Sequence, residues 1–351
     1  MKSSRFFLPA FFLLLLFSCR KNDEFPHSRP YEAKVFVAVE DGECIAVINA
    51  TTNELINSIQ LNDGSGNMMM AHNVQAAPDG KTIWATVNPM TPGSTDFLAV
   101  IDPFTEKVIA RVPLGIDLHL AHVVLDDASE YAYATATDSD QVFRVNVRTK
   151  QVEQRYQLPA GHQPHGLRFS QGKLYISNLG SGSITVVHTD NGMTEEIPVN
   201  GMAVQSAVTK DGRYVFSSLY ENRSIFKYDV VQQTDSTIPL PGGAQGPIQI
   251  YPTPDGKKLF ICDQGVLLGR PSSDKVYVLD IAAGIVTDSI TAGNAVHGVV
   301  VSNDGSKVFV TNSEDNTVSV IDGKTHAVIA TIPVGVEPNG ITWWCTVGGQ
   351  P

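Results

Sequence analysis

The histidines are the residues of this chain whose type and spacing could do chemistry. Two His-x-x-His pairs lie about one repeat length apart, and a methionine precedes another histidine by the same spacing. Neutral imidazole is a common ligand of zinc, copper and haem iron, and thioether sulfur prefers soft copper. The candidate metal ligands are His72, His119, His122, His162, His165, His297 and Met69.

The segments that must position these side chains form a repeat. Residues 294–335 contain four short β-segments separated by polar turns, and variants of this pattern run through the chain. An Asp-Gly turn supplies the positive φ that a tight hairpin needs. Such turns, or variants of them, occur at residues 78–80, 126–128, 170–172, 210–212, 254–256 and 303–305. Four strands per repeat at this spacing predict six propeller blades.

A seventh blade is divided between the two ends of the chain. Segments 34–39, 44–49 and 54–61 look like three strands with no inner strand before them, and 338–344 looks like an inner strand with no outer strands after it. Joining them closes the ring and removes an open sheet edge. We therefore predict an all-β fold, a seven-bladed β-propeller over residues 33–346, closed by the C-terminal strand joining the N-terminal three.

Several strands resemble the repeats of a known family. Val308-Phe309-Val310-Thr311-Asn312 and the similar segment 174–178 resemble the YVTN-repeat propellers, and the resemblance covers about residues 33–345. It implies the fold, but such propellers include surface proteins, lactonase relatives and the haem-bearing domain of cytochrome-type nitrite reductases. The chain also resembles surface propeller lipoproteins that capture corrinoids for an outer-membrane channel.

The N-terminal segment resembles a lipoprotein address. A basic start and a short apolar run predict a signal peptide over residues 1–18, and Leu16-Phe17-Ser18-Cys19 resembles the lipobox in which the cysteine is lipidated. Residues 19–32 would form a tether and 347–351 a tail. We expect a lipid anchor on Cys19 in the bacterial cell envelope, with the outer membrane as first candidate and surface display left open. An ordinary secreted protein is the alternative.

Composition excludes some partners. The formal net charge is −11 and no basic cluster lies beyond the tether, so binding of nucleic acid or of an anionic membrane has no electrostatic support. We expect a monomer. Cys44, Cys262 and Cys345 are expected to be buried free thiols, because an odd number of cysteines cannot be fully paired within one chain.

The blade register predicts where the histidines meet. Counting back from each turn to the start of the inner strand places imidazoles around one end of the central channel, which we call the mouth. The equivalent residues are His72, His122, His165, His297 and Asn339, with Gln205 and Gln249 one position further along in their blades. Tyr220 and Arg270 are expected beside the same opening, which the longer loops 88–96 and 264–274 frame. Asp117 could orient an imidazole.

Four functions remain open at this point. No Gly-x-Ser-x-Gly, Cys-x-x-Cys-His, Walker or His-Glu-x-x-His motif is present. The first hypothesis is a binding protein that captures a small ligand or a metal-containing cofactor (copper, iron or haem, or a corrinoid) at the mouth and could pass it to an outer-membrane transporter. The alternatives are a copper- or iron-dependent metalloenzyme, a protein-interaction scaffold with structural histidines, and a lactonase-like hydrolase.

Overall fold

The computed structural model describes residues 32–346, which form 28 strands in seven antiparallel four-stranded sheets. The predicted signal peptide, Cys19 and the tail lie outside these residues, as does the tether except for Glu32. Within the described range, no helix is both long and apolar enough to cross a membrane.

The strands follow one another blade by blade. Blade one contains β1 (Ala33–Val39), β2 (Cys44–Asn49) and β3 (Glu54–Gln60). Blade two contains β4 (Met69–Ala76), β5 (Ile83–Pro89), β6 (Thr95–Asp102) and β7 (Lys107–Ile116). Blade three contains β8 (Leu120–Leu125), β9 (Tyr131–Ala136), β10 (Gln141–Asn146) and β11 (Val152–Gln157). Blade four contains β12 (Pro164–Ser170), β13 (Lys173–Asn178), β14 (Ser183–His188) and β15 (Thr194–Pro198).

The remaining blades repeat this order. Blade five contains β16 (Ala203–Val208), β17 (Tyr214–Leu219), β18 (Ser224–Asp229) and β19 (Thr234–Pro239). Blade six contains β20 (Pro247–Pro252), β21 (Lys258–Asp263), β22 (Lys275–Asp280) and β23 (Ile285–Thr291). Blade seven contains β24 (Val296–Val301), β25 (Lys307–Asn312), β26 (Thr317–Asp322) and β27 (Val328–Pro333). Short 3₁₀ turns occupy Thr137–Ser139 and Leu267–Gly269, and β28 (Pro338–Cys345) ends the described chain.

Ring closure takes place in blade one, as predicted. The strand order there is β28-β1-β2-β3, and Lys34 pairs with Trp344 across the junction of the two chain ends. Trp344 is fully buried, and its indole N–H donates to the carbonyl oxygen of Gly80 in blade two at 2.8 Å. The closing strand is thus fixed to both neighbours, and the seven-bladed prediction is confirmed.

Burial follows the position of a strand within its blade. The inner and middle strands are buried almost throughout because both faces pack against adjacent blades, whereas outer strands such as β3 are mostly exposed. The three cysteines of the propeller, at 44, 262 and 345, are buried, as predicted, and Cys44 and Cys262 are free thiols.

The inner strands carry the feature that builds the mouth. In every blade the pairing between the inner strand and the next strand shifts register, for example between Pro164 and Leu167 in blade four. Such a bulge leaves extra residues unpaired and turns a side chain to a new direction. The bulged residues include all four histidines predicted at the inner strands.

Glycines next to the bulges let the inner strands approach each other closely. A Cβ on Gly166 would lie 2.5 Å from the carbonyl oxygen of Val204 in blade five. A Cβ on Gly340 would lie 2.7 Å from Cα of Asn73 in blade two. Only glycine fits at such separations, which explains the His-Gly and Asn-Gly pairs at the start of these strands.

Candidate metal site at the channel mouth

Three imidazoles from consecutive blades converge at the mouth. One ring nitrogen from each of His72, His122 and His165 lies within 4.8 Å of the other two. The ring centroids of His72 and His122 are 6.1 Å apart. The centroid of His165 lies 5.6 Å from that of His72 and 5.1 Å from that of His122. We call these three residues the His cluster.

Strand hydroxyls fix the backbone of the cluster. The N–H of His122 donates to the hydroxyl oxygen of Thr135 at 3.0 Å, and that hydroxyl donates to the carbonyl of His165 at 2.8 Å. In blade two, Thr86 accepts from the N–H of Asn73 at 2.9 Å and donates to the carbonyl of Ala121 at 3.1 Å. In blades two and three, one threonine therefore ties the bulge to the following inner strand, which fixes the backbone that carries the imidazoles.

The contacts of two rings determine which nitrogen is available. Nδ1 of His165 lies 3.0 Å from the carbonyl oxygen of Val204, so it carries the proton and leaves the Nε2 lone pair for a ligand. Nδ1 of His72 lies 3.2 Å from Oε1 of Glu40, and its buried Nε2 has no hydrogen-bond partner among the described residues. Nδ1 of the buried His122 likewise has none. Unsatisfied buried nitrogens of this kind call for an explanation, and a bound ion would supply it.

Glu40 is the carboxylate that orients the cluster. Its Oε1 faces His72, while its Oε2 accepts from Nδ2 of Asn339 at 2.6 Å. A carboxylate behind a ligating histidine fixes the tautomer and strengthens the imidazole as a donor. The structure thus combines a candidate ligand, its orienting carboxylate and an amide that holds the carboxylate.

Electrostatics distinguish His72, which faces Glu40, from the other two rings of the cluster. Burial opposes ionisation of Glu40, yet attraction and hydrogen bonding to His72 outweigh it and lower the pKa of Glu40 to about 2. Burial disfavours protonation of His72, but Glu40 outweighs it and raises the pKa of His72. Burial and the neighbouring imidazoles lower the pKa of His122 well below its ordinary value and that of His165 to about 3. Two members are therefore neutral, as metal binding requires.

Two further histidines lie at the edge of the cluster. His297 is buried, its Nδ1 has no partner among the described residues, and burial with the charge of His72 lowers its pKa to about 3. The exposed ring of His119 lies 5.9 Å from that of His72. Neither belongs to the group of nitrogens within 4.8 Å.

Other predicted ligands lie elsewhere. Met69 is buried in the hydrophobic core between blades one and two, so its sulfur is committed to packing. His162 lies 3.6 Å from Glu196 of the outer strand in its own blade. Gln249 is buried, and its Nε2 has no described partner. With its amide turned to present oxygen, Gln205 accepts from Arg168.

Tyr220 and Arg270 form a loop clamp. The Tyr220 hydroxyl donates to the carbonyls of Gly265 and Leu267, and the ring is fully buried. The Arg270 guanidinium lies 4.9 Å from that ring and donates to backbone carbonyls of residues 220, 221 and 245. Both side chains hold the 264–274 loop, while Leu267 and Leu268 are exposed.

The other framing loop holds the segment that leads to the cluster. Asp96 accepts from the N–H groups of Leu118 and His119 at 2.6 and 3.1 Å. Asn88 exchanges two hydrogen bonds with the backbone of Leu120. Asp117, which the sequence suggested as an orienting group, instead accepts from the N–H of Gly93 at 3.0 Å. That suggestion was wrong, and Glu40 occupies the role.

Sequence reasoning missed Glu40 because blade one is split. Its N–H donates to the carbonyl of Glu337 at 3.0 Å, just as that of Leu179 donates to Gln163 in blade four. This equivalence places Glu40 directly after the second strand of its blade, on the mouth face. Carrying the blade register across the split would have identified it.

The comparisons with known proteins agree with the fold. No family model and no curated protein matches the sequence, so membership of the YVTN-repeat family stays a prediction. Hydrazine synthase of Kuenenia stuttgartiensis is similar with a TM-score of 0.66 and 16% identity, covering 77% of this chain and 88% of that one. Apo AztD from Citrobacter koseri is similar with a TM-score of 0.65 and 14% identity, covering 91% of this chain and 99% of that one. Virginiamycin B lyase from Staphylococcus aureus is similar with a TM-score of 0.65 and 12% identity, covering 91% of this chain and 97% of that one. These likenesses establish the propeller fold.

Proposed function

We propose that this protein is a propeller that binds a transition-metal ion at the His cluster. The observation that carries the proposal is the convergence of three imidazole nitrogens within 4.8 Å of one another. A tetrahedral ion with nitrogen ligands at about 2.0–2.1 Å needs nitrogens about 3.3 Å apart. Ring nitrogens up to 4.8 Å apart would have to move closer together to reach that separation. Three imidazoles are typical ligands of zinc and copper.

The donor set favours a bare ion over haem or a corrinoid. Haem iron takes one or two axial protein ligands, one on each side of the macrocycle. Here three rings from consecutive blades aim at one point, and one of them is backed by the carboxylate of Glu40. The buried Met69 does not contribute thioether sulfur, so the set has no soft ligand that would favour copper(I).

Metal titration of the full chain tests the proposal. Protein stripped with a chelator and kept in mild detergent would be titrated with Zn²⁺, Cu²⁺ and Co²⁺, using the visible spectrum of Co²⁺ to report nitrogen ligands. We expect one ion per chain, lost in His122→Ala and retained in His162→Ala, a matched histidine outside the cluster. Equal binding by the two variants, or no binding by the wild type, would refute the metal site.

We further propose that a lipid on Cys19 holds this metal binder in the cell envelope, where it hands its ion to an outer-membrane transporter. The lipobox-like 16–19 segment and the following polar tether support this. Palmitate labelling in a bacterial host should disappear in Cys19→Ser and persist in Cys44→Ser. An unlabelled wild-type chain would contradict the anchor without touching the metal site.

A metalloenzyme is the second candidate, because three histidine ligands would leave one position of a tetrahedral ion open. Catalytic zinc sites combine three protein ligands with a replaceable water, whereas structural sites use four protein ligands. Cyanide added to the Co²⁺-loaded protein tests this feature. A shifted visible spectrum would show the exchangeable position that catalysis needs, and an unchanged spectrum would exclude the enzyme while leaving the binding function intact.

A further inference from the structure

A cavity lies on the propeller face opposite the mouth, among the hairpin turns that join inner strands to the next strand of their blades. Its volume is about 270 Å³, near the lower end of the size of small-molecule pockets. The polar and aromatic residues lining it include Asp127, Arg168, Gln171, Lys210, Tyr251 and Asn303.

Arg168 is the unusual residue of this cavity. Its guanidinium is half-buried, and in residues 32–346 no ion pair joins it to a carboxylate. A guanidinium removed from water is costly unless it is paired or fully hydrogen-bonded. Burial accordingly lowers the pKa of Arg168. A partly buried cation without a counterion suggests that an anion from outside the protein binds beside it.

Protein contacts fix Arg168 and leave one edge of it available. Nη1 donates to the carbonyl of Leu167 at 2.9 Å. The Gln205 amide oxygen accepts from Nη1 and Nη2 at 3.2 and 3.1 Å. The guanidinium carbon lies 5.7 Å from the centroid of the Tyr251 ring. These contacts use three of the five N–H groups of an arginine, so Nε–H and one Nη2–H remain without a partner among residues 32–346.

Those two N–H groups form the edge of a guanidinium that binds a carboxylate with two parallel hydrogen bonds. Lys210 adds a second positive charge to the cavity, and Phe169 and Tyr251 add aromatic surface. Asp127 could accept a hydrogen bond from a ligand hydroxyl or amine. We propose that this cavity binds a small organic carboxylate whose anionic group pairs with Arg168. The site is separate from the His cluster and independent of the proposed metal function.

Calorimetric titration of the metal-free full chain tests the inference, with benzoate and succinate as probes and benzylamine as a cation of similar size. We expect at least one of the carboxylates to bind and benzylamine not to bind. Arg168→Gln should weaken carboxylate binding at least 10-fold. Arg168→Lys, which keeps the charge but loses the paired N–H groups, should also weaken it. Arg213→Gln, at an exposed arginine paired with Asp229, is the matched control and should bind as the wild type does.

The outcomes separate this site from the metal site. Circular dichroism and the unfolding midpoint of each variant show whether it is folded. If Arg168→Gln does not fold, Arg168→Lys takes its place in the binding test. His122→Ala should leave carboxylate binding unchanged. The inference is overturned if neither carboxylate binds, if binding survives both Arg168 variants, or if inorganic phosphate binds and the carboxylates do not.

Discussion

Replacing Glu40 by glutamine is the most informative perturbation of the His cluster. The substitution keeps the size of the side chain but removes the charge 3.2 Å from Nδ1 of His72. Loss of a carboxylate partner of a ligating histidine typically lowers metal affinity 10- to 100-fold, which corresponds to about 1.4–2.7 kcal/mol. We expect Glu40→Gln to weaken Zn²⁺ binding by that factor at pH 8.

The same carboxylate predicts how this factor changes with pH. Glu40 raises the pKa of His72, so in the wild type a proton competes with the metal for this ring more strongly as pH falls. In Glu40→Gln that competition is weaker, because the attraction that raised the pKa is gone. The ratio of dissociation constants between variant and wild type should therefore be largest at pH 8 and smaller at pH 6.

Glu337→Gln is the matched control. Glu337 acts on His72 through its charge, but in the described part of the chain no hydrogen bond joins the two. Competition titration with a chromophoric zinc chelator at both pH values measures all three proteins. If Glu337→Gln loses as much affinity as Glu40→Gln, general negative charge rather than orientation of His72 is responsible. If Glu40→Gln binds within twofold of the wild type at pH 8, the orienting role is refuted.

Three further predictions concern stability. The pKa of His297 is about 3 in the folded protein and about 6.5 when unfolded, so below about pH 6.5 only the unfolded chain takes up a proton at this residue and stability falls with pH. His297→Gln should therefore reduce the pH slope of the unfolding free energy of metal-free protein by about 1 kcal/mol per pH unit between pH 5 and 7, measured with urea at those two pH values. An unchanged slope would mean that the imidazole of His297 is also protonated in the folded protein. Gly166→Ala should destabilise the fold by about 1–3 kcal/mol in the same assay, because its Cβ would press on β16, whereas Gly242→Ala, with nothing within 4 Å, should be neutral. Thr135→Val should cost about 1–3 kcal/mol and weaken metal binding, since the hydroxyl holds the backbone of His122; stability loss with unchanged zinc affinity would separate the two roles.

The fold could be predicted from the sequence because its signals are local. Asp-Gly turns and strand-length apolar segments recur with a fixed period, and the incomplete repeats at the two ends complement each other. The convergence of His72, His122 and His165 followed from the same register. The positions of the His162 and Met69 side chains could not be predicted in this way. The three-residue spacing to the next histidine does not determine the direction in which each side chain points.

The reason lies in the bulges of the inner strands. In a regular strand, residues three apart point to opposite faces. The bulge between Pro164 and Leu167 adds one residue, so both His165 and Arg168 can face the channel, one at each end. Tyr251 follows the bulge of blade six in the same way and lines the same cavity.

A register rule that includes one extra residue per inner strand therefore assigns two rings of side chains to the channel. The first ring begins with the residue inside each bulge and contains the His cluster. The second lies three residues later and, in five blades, consists of uncharged residues without an aromatic ring (Gln75, Leu125, Ala207, Val300 and Thr342). Arg168 and Tyr251 are the two exceptions, and they contact each other. The charged side chain and the aromatic side chain of this second ring therefore both line the cavity, where we propose that an anion binds.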